Sequence, residues 1–251
     1  MTPLPDGLRL ATWNIHSGIG SDERMDMDRV VSVIETIAPD IIGLQEVGWH
    51  RSHHSKVDQF AFLREKTGYH VVEGLSRDPL RSQFGNALLT RFPVTSRRWV
   101  DLKVLGHPPR AAVAGEIGDK TRQVCAVVTH FGLTPPEREM QARRLLDVFA
   151  PETNGSPPTV ILGDFNMVRE STRASRLLGE HFSTCVAAPT YPSWRPVLPL
   201  DRIYLSAHWK VREARVIDTD AVSNVSDHLP LVADVELVSQ PAEVTAADLP
   251  A

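Results

Sequence analysis

Eight short apolar runs, most closed by a polar residue able to bind a cation or a phosphate, punctuate this chain. The runs "LRLATWN", "IIGLQEV", "GNALLTR", "AAVAGEI", "RQVCAVVTH", "PTVILGDF", "DRIYLS" and "LPLVADVEL" have the length of strands, and such strands bury their apolar side chains only by lying side by side in sheets. Between the first two, "DRVVSVIETIA" sets Val30, Val33, Ile34 and Ile37 on one helical face. A second helix is marked in "TPPEREMQARRLLDVFA", where Thr134 is the expected N-cap, Pro135 takes the first position and Glu137 completes a capping box. Strands alternating with helices predict an α/β domain.

At 251 residues the chain can bury a sizeable core in one unit. No internal repeat or Pro/Gly/Ser-rich linker divides it. We therefore expect one domain over 1–238 and a flexible C-terminal tail over 239–251, "SQPAEVTAADLPA", which lacks a core face. The net charge of −4 provides no global positive field toward nucleic acid or anionic membrane, and the arginines are scattered. Cys125 and Cys185 have no metal-type spacing and read as small buried hydrophobes rather than a disulfide. The start lacks a basic segment followed by an apolar one, and no apolar run is long enough to span a bilayer, so a soluble, cytoplasmic protein is expected.

The polar residues that close the runs fall in one repeated place. Asn14, Glu46 and His130 end strands, Asp164 and Asn166 follow "VILG", Asp201 opens "DRIYLS", and Asp227 and His228 precede the last strand. Singly, each has an ordinary explanation, since Asn and Asp end strands and cap helices. Ser226, Asp227 and Pro230 on their own describe a turn. Brought to one rim, the same residues are the oxygen ligands and imidazoles that hold a cation and cleave a phosphate ester.

In the order "TWNIH", "LQEV", "GNALLTRFP", "THFGL", "GDFN", "LDRIY" and "SDHLP", the chain resembles the endonuclease/exonuclease/phosphatase superfamily of metal-dependent phosphoesterases. The resemblance implies an α/β fold, a four-layer αββα sandwich of two packed mixed sheets like that of the deoxyribonucleases, with the active site at one end. "EREMQARRLL" and "YPSWRPVLPLDRIYLS" resemble a small bacterial branch of metal-dependent hydrolases with relatives linked to phospholipid metabolism. His130, where abasic-site endonucleases carry Tyr, resembles the pancreatic deoxyribonuclease and sphingomyelinase branches.

The resemblance assigns roles to the matching positions. Glu46, with Asn14 and Asp227, would hold magnesium, manganese being the alternative, and a site with few protein oxygens suits that ion. Asp164 would orient and deprotonate water, and Asn166 would hold the water or a phosphate oxygen. His228 would donate to the phosphate with Asp201 fixing its tautomer, and His130 would stand opposite as second donor or as acid for the leaving oxygen. Substrate contacts are expected from Arg110, in "GHPPRAA", and from Asn86. The loop "TYPSWRP" offers Tyr191, Trp194 and Arg195 for a base or a lipid, although Trp194 reads equally as a core pin and Asn86 as a structural strand end. His53 and His54 in "RSHHS" lack further ligands for zinc.

The expected protein is a divalent-metal-dependent phosphodiesterase whose partner is its phosphodiester substrate, a phospholipid or other small diester ahead of nucleic acid. A deoxyribonuclease-like enzyme is the runner-up, and a catalytically inactive binding protein the third reading. Peripheral membrane contact is compatible with this reading; no obligate protein partner is evident.

Overall fold

A computed structural model describes residues 4–48, 57–76, 84–119, 122–151 and 156–238. The expected tail and the His53–His54 pair lie outside the described residues. In chain order the elements are β1 (Gly7–Asn14), α1 (Met27–Ile37), β2 (Ile41–Gly48), α2 (Gln59–Thr67), β3 (His70–Leu75), β4 (Phe84–Thr90), β5 (Val94–Asp101), β6 (Ala111–Gly118), β7 (Gln123–His130), α3 (Pro135–Phe149), β8 (Thr159–Asp164), α4 (Arg173–Gly179), β9 (Thr184–Ala187), β10 (Asp201–Leu205), β11 (Trp209–Val216), α5 (Asp220–Ser223) and β12 (Leu231–Leu237). Among the described residues the strands form two six-stranded sheets, β11-β12-β1-β2-β4-β3 and β5-β6-β7-β8-β10-β9. Both are mixed: β1–β2 and β7–β8 run parallel within otherwise antiparallel neighbours.

Alternation along each strand explains the layers, because successive side chains point to opposite faces. Leu8 and Leu10 of β1 join Val124, Ala126 and Val128 of β7 and Val160 and Leu162 of β8 in the core between the sheets. Ala11 and Trp13 face the other way, onto Val30, Val33, Ile34 and Ile37 of α1 and Phe60 and Leu63 of α2. Val127 and Ile161 pack outward with Ala142, Leu145 and Phe149 of α3 and Leu178 of α4. The result is the expected helix–sheet–sheet–helix sandwich. Leu162 is fully buried between the sheets, where truncation to Ala costs about 2–5 kcal/mol.

Gly43 of β2 marks a close approach of the sheets, since a Cβ there would stand 2.8 Å from Leu162 Cβ and 3.0 Å from the Val128 methyls. α1 begins at Asp26, whose carboxylate accepts from the amides of Asp28 and Arg29, and it buries all four expected apolar residues. α3 begins as expected, with Pro at its first position and the Thr134 amide donating to Glu137 Oε2.

Two expectations need correction. Cys185, expected buried, is exposed on the edge strand β9, and Cys125 is only half-buried on the helix-facing side of β7, because each faces away from the inter-sheet core; both are free thiols. Trp194 is not a core pin, being 78 % exposed.

Candidate active site

The alternation that builds the core also builds the site. Two steps beyond Val128 the inward position of β7 is His130; two beyond Leu162 it is Asp164; two before Ile203 of β10 it is Asp201. The registers His130↔Asp164 and Asp164↔Asp201 put these three abreast at one edge of the second sheet. Asn14 ends β1 on the first sheet and reaches across, donating Nδ2 to Asp164 Oδ2 at 3.1 Å and to Glu46 Oε1 at 3.2 Å. Its Oδ1 accepts from the His16 amide.

Glu46 takes its place through a bulge. The β2–β4 register slips between Leu44 and Val47, and Glu46 adopts φ 56°, a left-handed conformation uncommon for a residue with a Cβ. Asn166, with φ 51°, and His16, with φ 47°, share this backbone region at the same end of the sandwich. Such conformations persist only where the surroundings over-determine them, and they cluster at functional sites.

Asp164 is the hub. It is buried; its Oδ1 accepts from the Asn166 amide at 2.9 Å, and Oδ2 lies 3.5 Å from His130 Nε2 and 3.7 Å from His228 Nε2. His228 Nδ1 donates to Asp201 Oδ2 at 2.8 Å, and the buried Thr190 hydroxyl donates to that same oxygen at 2.5 Å. Burial opposes a charge on His228, but the Asp201 carboxylate, by charge and hydrogen bond, with Asp164 and Asp227 behind it, holds the imidazole up at about 10. His130 stands at the opposite extreme. Burial first, then the Arg110 guanidinium, push it down to about 3 against the pull of Asp164. Arg110 Nη1 lies 3.2 Å from His130 Nδ1 and, because Arg only donates, Nδ1 is the acceptor there, while Nε2 faces Asp164 Oδ2 and Asn166 Nδ2.

Among the expected substrate contacts, Arg110 is in the site. Asn86 is buried and donates Nδ2 to the Ala111 carbonyl of the opposite sheet at 2.8 Å, tying the sheets beside Arg110 and His130. Trp194 projects from the loop whose Ser193 amide donates to the Asp227 carbonyl. Tyr191 of that loop is turned inward, its ring centroid 4.8 Å from that of His228.

The sequence reading missed three members of the site. Thr190 looks like any loop Thr, and only the fold shows what its hydroxyl meets. His16 lies 3.9 Å from Asp227 Oδ1; its proximity to Asn14 in "TWNIH" was the available signal. Ser226, read as a turn former, donates its hydroxyl to the Asn14 carbonyl at 2.7 Å and so fastens the last motif to β1.

The Endonuclease/Exonuclease/phosphatase family model matches residues 11–228, from the first strand to His228. The chain belongs to that family. Solved structures similar to this family member include the endonuclease/exonuclease/phosphatase from Bacteroides vulgatus, at 23 % identity, with 92 % of this chain and 99 % of that chain covered and a TM-score of 0.76. The human Nocturnin catalytic domain with bound sulfate anion is similar at 24 % identity, covering 94 % and 96 %, with a TM-score of 0.70. A mannosyl-6-phosphatase of Bacteroides thetaiotaomicron follows at 17 % identity, covering 92 % and 100 %, with a TM-score of 0.69. No curated protein sequence gives a significant match. The endonuclease/exonuclease/phosphatase family is one of phosphoric ester hydrolases, and its fold is the sandwich described above.

The residues present fit a divalent cation. Burial, the larger cause, and the nearby Asp227 charge push the Glu46 carboxyl up despite the Asn14 amide, His16 and Arg110, so an ionised Glu46 is short of counter-charge that a cation supplies. Asp227 beside it adds a second carboxylate, whose oxygens suit a hard ion. A second acidic/histidine cluster, Asp164, Asp201 and His228, brings ligand atoms within 4.8 Å of one another. There Asp201 and His228 already share a hydrogen bond, which makes them a positioning pair before they are ligands.

Proposed function

We propose that the chain is a divalent-metal-dependent phosphodiesterase acting on a phospholipid or another small diester. The observation that carries this reading is Asp164, whose carboxylate faces an imidazole held protonated, His228, and one held neutral, His130. Neighbouring groups whose protonation is driven apart mark acid and base roles.

Glu46, Asp227 and Asn14 would hold magnesium or manganese. When bound, the cation neutralises phosphate charge and stabilises the charge that develops during displacement. Asp164 orients the attacking water and takes its proton, steadied by the Asn14 amide and the Asn166 backbone. His228, kept protonated and oriented by Asp201, donates from Nε2 to a phosphate oxygen. His130 turns Nε2 toward the same space, facing Asp164 Oδ2, and would serve the leaving oxygen. Arg110 presents a guanidinium to the phosphate from the far side of His130.

The net charge of −4 favours a substrate with one or two phosphates over a long polyanion. The exposed Trp194 beside Arg195 supports the runner-up, a nuclease that stacks a base there. One panel tests both readings: an aryl phosphodiester, plasmid, abasic duplex, sphingomyelin and cardiolipin, each with magnesium or manganese and with chelator. The expected outcome is cation-dependent hydrolysis of the aryl diester and a phospholipid ahead of plasmid; no hydrolysis anywhere overturns the enzyme reading.

A further inference from the structure

Four loops leave the second sheet at the edge that carries His130, Asp164 and Asp201: residues 102–110, 131–134, 165–172 and 188–200. The pairings Asp101↔Ala111, Ala112↔Thr129, His130↔Asp164 and Asp164↔Asp201 put all of them at that one end. Each loop exposes at least one large apolar side chain. Leu105 is 94 % exposed and Leu133 71 %; Val168, Trp194 and Val197 complete the set. These five belong to the eight exposed large hydrophobics among the described residues. Scattered exposed apolar residues need no explanation, but a concentration around one mouth does.

The loops themselves are well fastened. His107 Nδ1 meets the buried Glu137 Oε2 at 3.2 Å, Gln141 donates to the Leu102 carbonyl, and Arg138 donates to the Leu133 carbonyl. Ser193 is held to Asp227, and Arg202 donates to the Met167 carbonyl. The apolar tips are thus presented on anchored backbone rather than left over from collapse.

We propose that this end of the sandwich docks on an anionic lipid surface, the five apolar tips entering the interface around the active-site mouth. The same loops carry Lys103, Arg110, Arg169 and Arg195 against the acidic Glu170, a local positive excess on a chain of net charge −4. Basic side chains interleaved with apolar tips match headgroup charge and acyl boundary together. A protein partner requires a continuous, shape-matched core, whereas tips spread over four loops suit a medium without fixed shape. Nucleic acid would use the positive charge and Trp194, but leaves Leu105, Leu133, Val168 and Val197 without a role.

This inference deepens the phosphodiesterase reading by placing the substrate in a membrane, and its test is separable from that reading. The full chain is sedimented with vesicles of phosphatidylcholine alone and of phosphatidylcholine with about one-third phosphatidylserine. Binding is expected to the anionic vesicles above the neutral ones, and Leu105→Ser/Leu133→Ser should reduce it by roughly tenfold or more, since each buried leucine is worth one to two decades of partitioning. Hydrolysis of a soluble aryl diester should be unchanged in that variant, whose positions touch no catalytic group. Absent sedimentation, or equal sedimentation of both proteins, overturns the docking proposal whatever the diester assay shows. An oligonucleotide that binds in place of vesicles, with loss in the same variant, overturns it in favour of nucleic acid. If vesicle binding behaves as expected but no diester is cleaved, the docking surface stands and the phosphodiesterase reading falls.

Discussion

His130 and His228 approach the same oxygen of Asp164, at 3.5 Å and 3.7 Å, yet one is held neutral and the other charged. The difference lies behind each ring. His228 has Asp201 at its back, and His130 has Arg110. In cation-free protein, ring nitrogen NMR should show His228 protonated until pH approaches about 10 and His130 neutral until pH falls to about 3. The stability consequences have opposite sign. His228, raised above the usual 6.5, contributes fully below pH 6.5 and its contribution is lost as pH rises through about 10; His130, depressed, contributes above pH 6.5 and its contribution is lost as pH falls toward about 3. Urea midpoints across pH for wild type, His130→Gln and His228→Gln would check both; parallel profiles in all three proteins would refute the assignment.

Glu46→Gln preserves size and removes the charge proposed to anchor the cation. Diesterase activity should fall on the order of a thousandfold or more, with an unchanged circular dichroism spectrum and poor rescue by added manganese. Calorimetric titration with magnesium should lose its heat of binding. Turnover near wild type in cation-replete buffer removes Glu46 from the site.

Asp201→Asn and His228→Ala should each slow the reaction by about a hundredfold to ten-thousandfold, and the double variant by little more, because the carboxylate acts through the imidazole. Independent, multiplicative losses would show that the hydrogen bond between them has no catalytic consequence.

Thr190→Val removes the hydroxyl that Asp201 Oδ2 accepts alongside His228. With one acceptor bond lost in a fully buried setting, the melting midpoint should drop by an amount equivalent to about 1–3 kcal/mol. His228 should titrate higher, since Asp201 then gives its charge to the imidazole alone. A Thr190→Ser protein should recover both properties, which a packing role would not predict.

Substrate class is read from salt. A polyanion-binding enzyme releases condensed counterions and loses affinity steeply as salt rises, whereas a site meeting one phosphate through Arg110 should show a shallow slope. Trp194→Ala should lower activity on the preferred substrate while sparing a small aryl diester. Efficient plasmid nicking whose affinity collapses between low and moderate salt would move the assignment to a nuclease.

How much of this was legible in the sequence depended on whether local pattern and tertiary role agreed. Eight strands were readable because each has apolar residues on at least one face, and their closing polar residues were readable because strand ends recur in one place. β5 was not readable: "TSRRWV" is largely exposed on an edge strand and has no apolar alternation. β11 and the short β9 also lie at sheet edges. α2 escaped because its apolar residues do not form a clear stripe, only Gln59, Phe60 and Leu63 being buried. The bulge that aims Glu46 leaves no trace in "LQEVG", since Glu rather than Gly occupies the left-handed position. The pairing of Arg110 with His130 joins residues twenty apart that only the register of β6 and β7 brings together.

The order of strands in the first sheet has a consequence for how the protein is made. β12 lies between β11 and β1, so the strand formed first in synthesis waits beside an open edge for one formed last, and Asp227 and His228 arrive only with it. A nascent chain extended as far as β10 already contains every strand of the second sheet, with His130, Asp164 and Asp201, but lacks the imidazole that Asp201 orients. The residues proposed as acid and cation ligand, His228 and Asp227, therefore join the other site residues only once the final strand lies between its two neighbours.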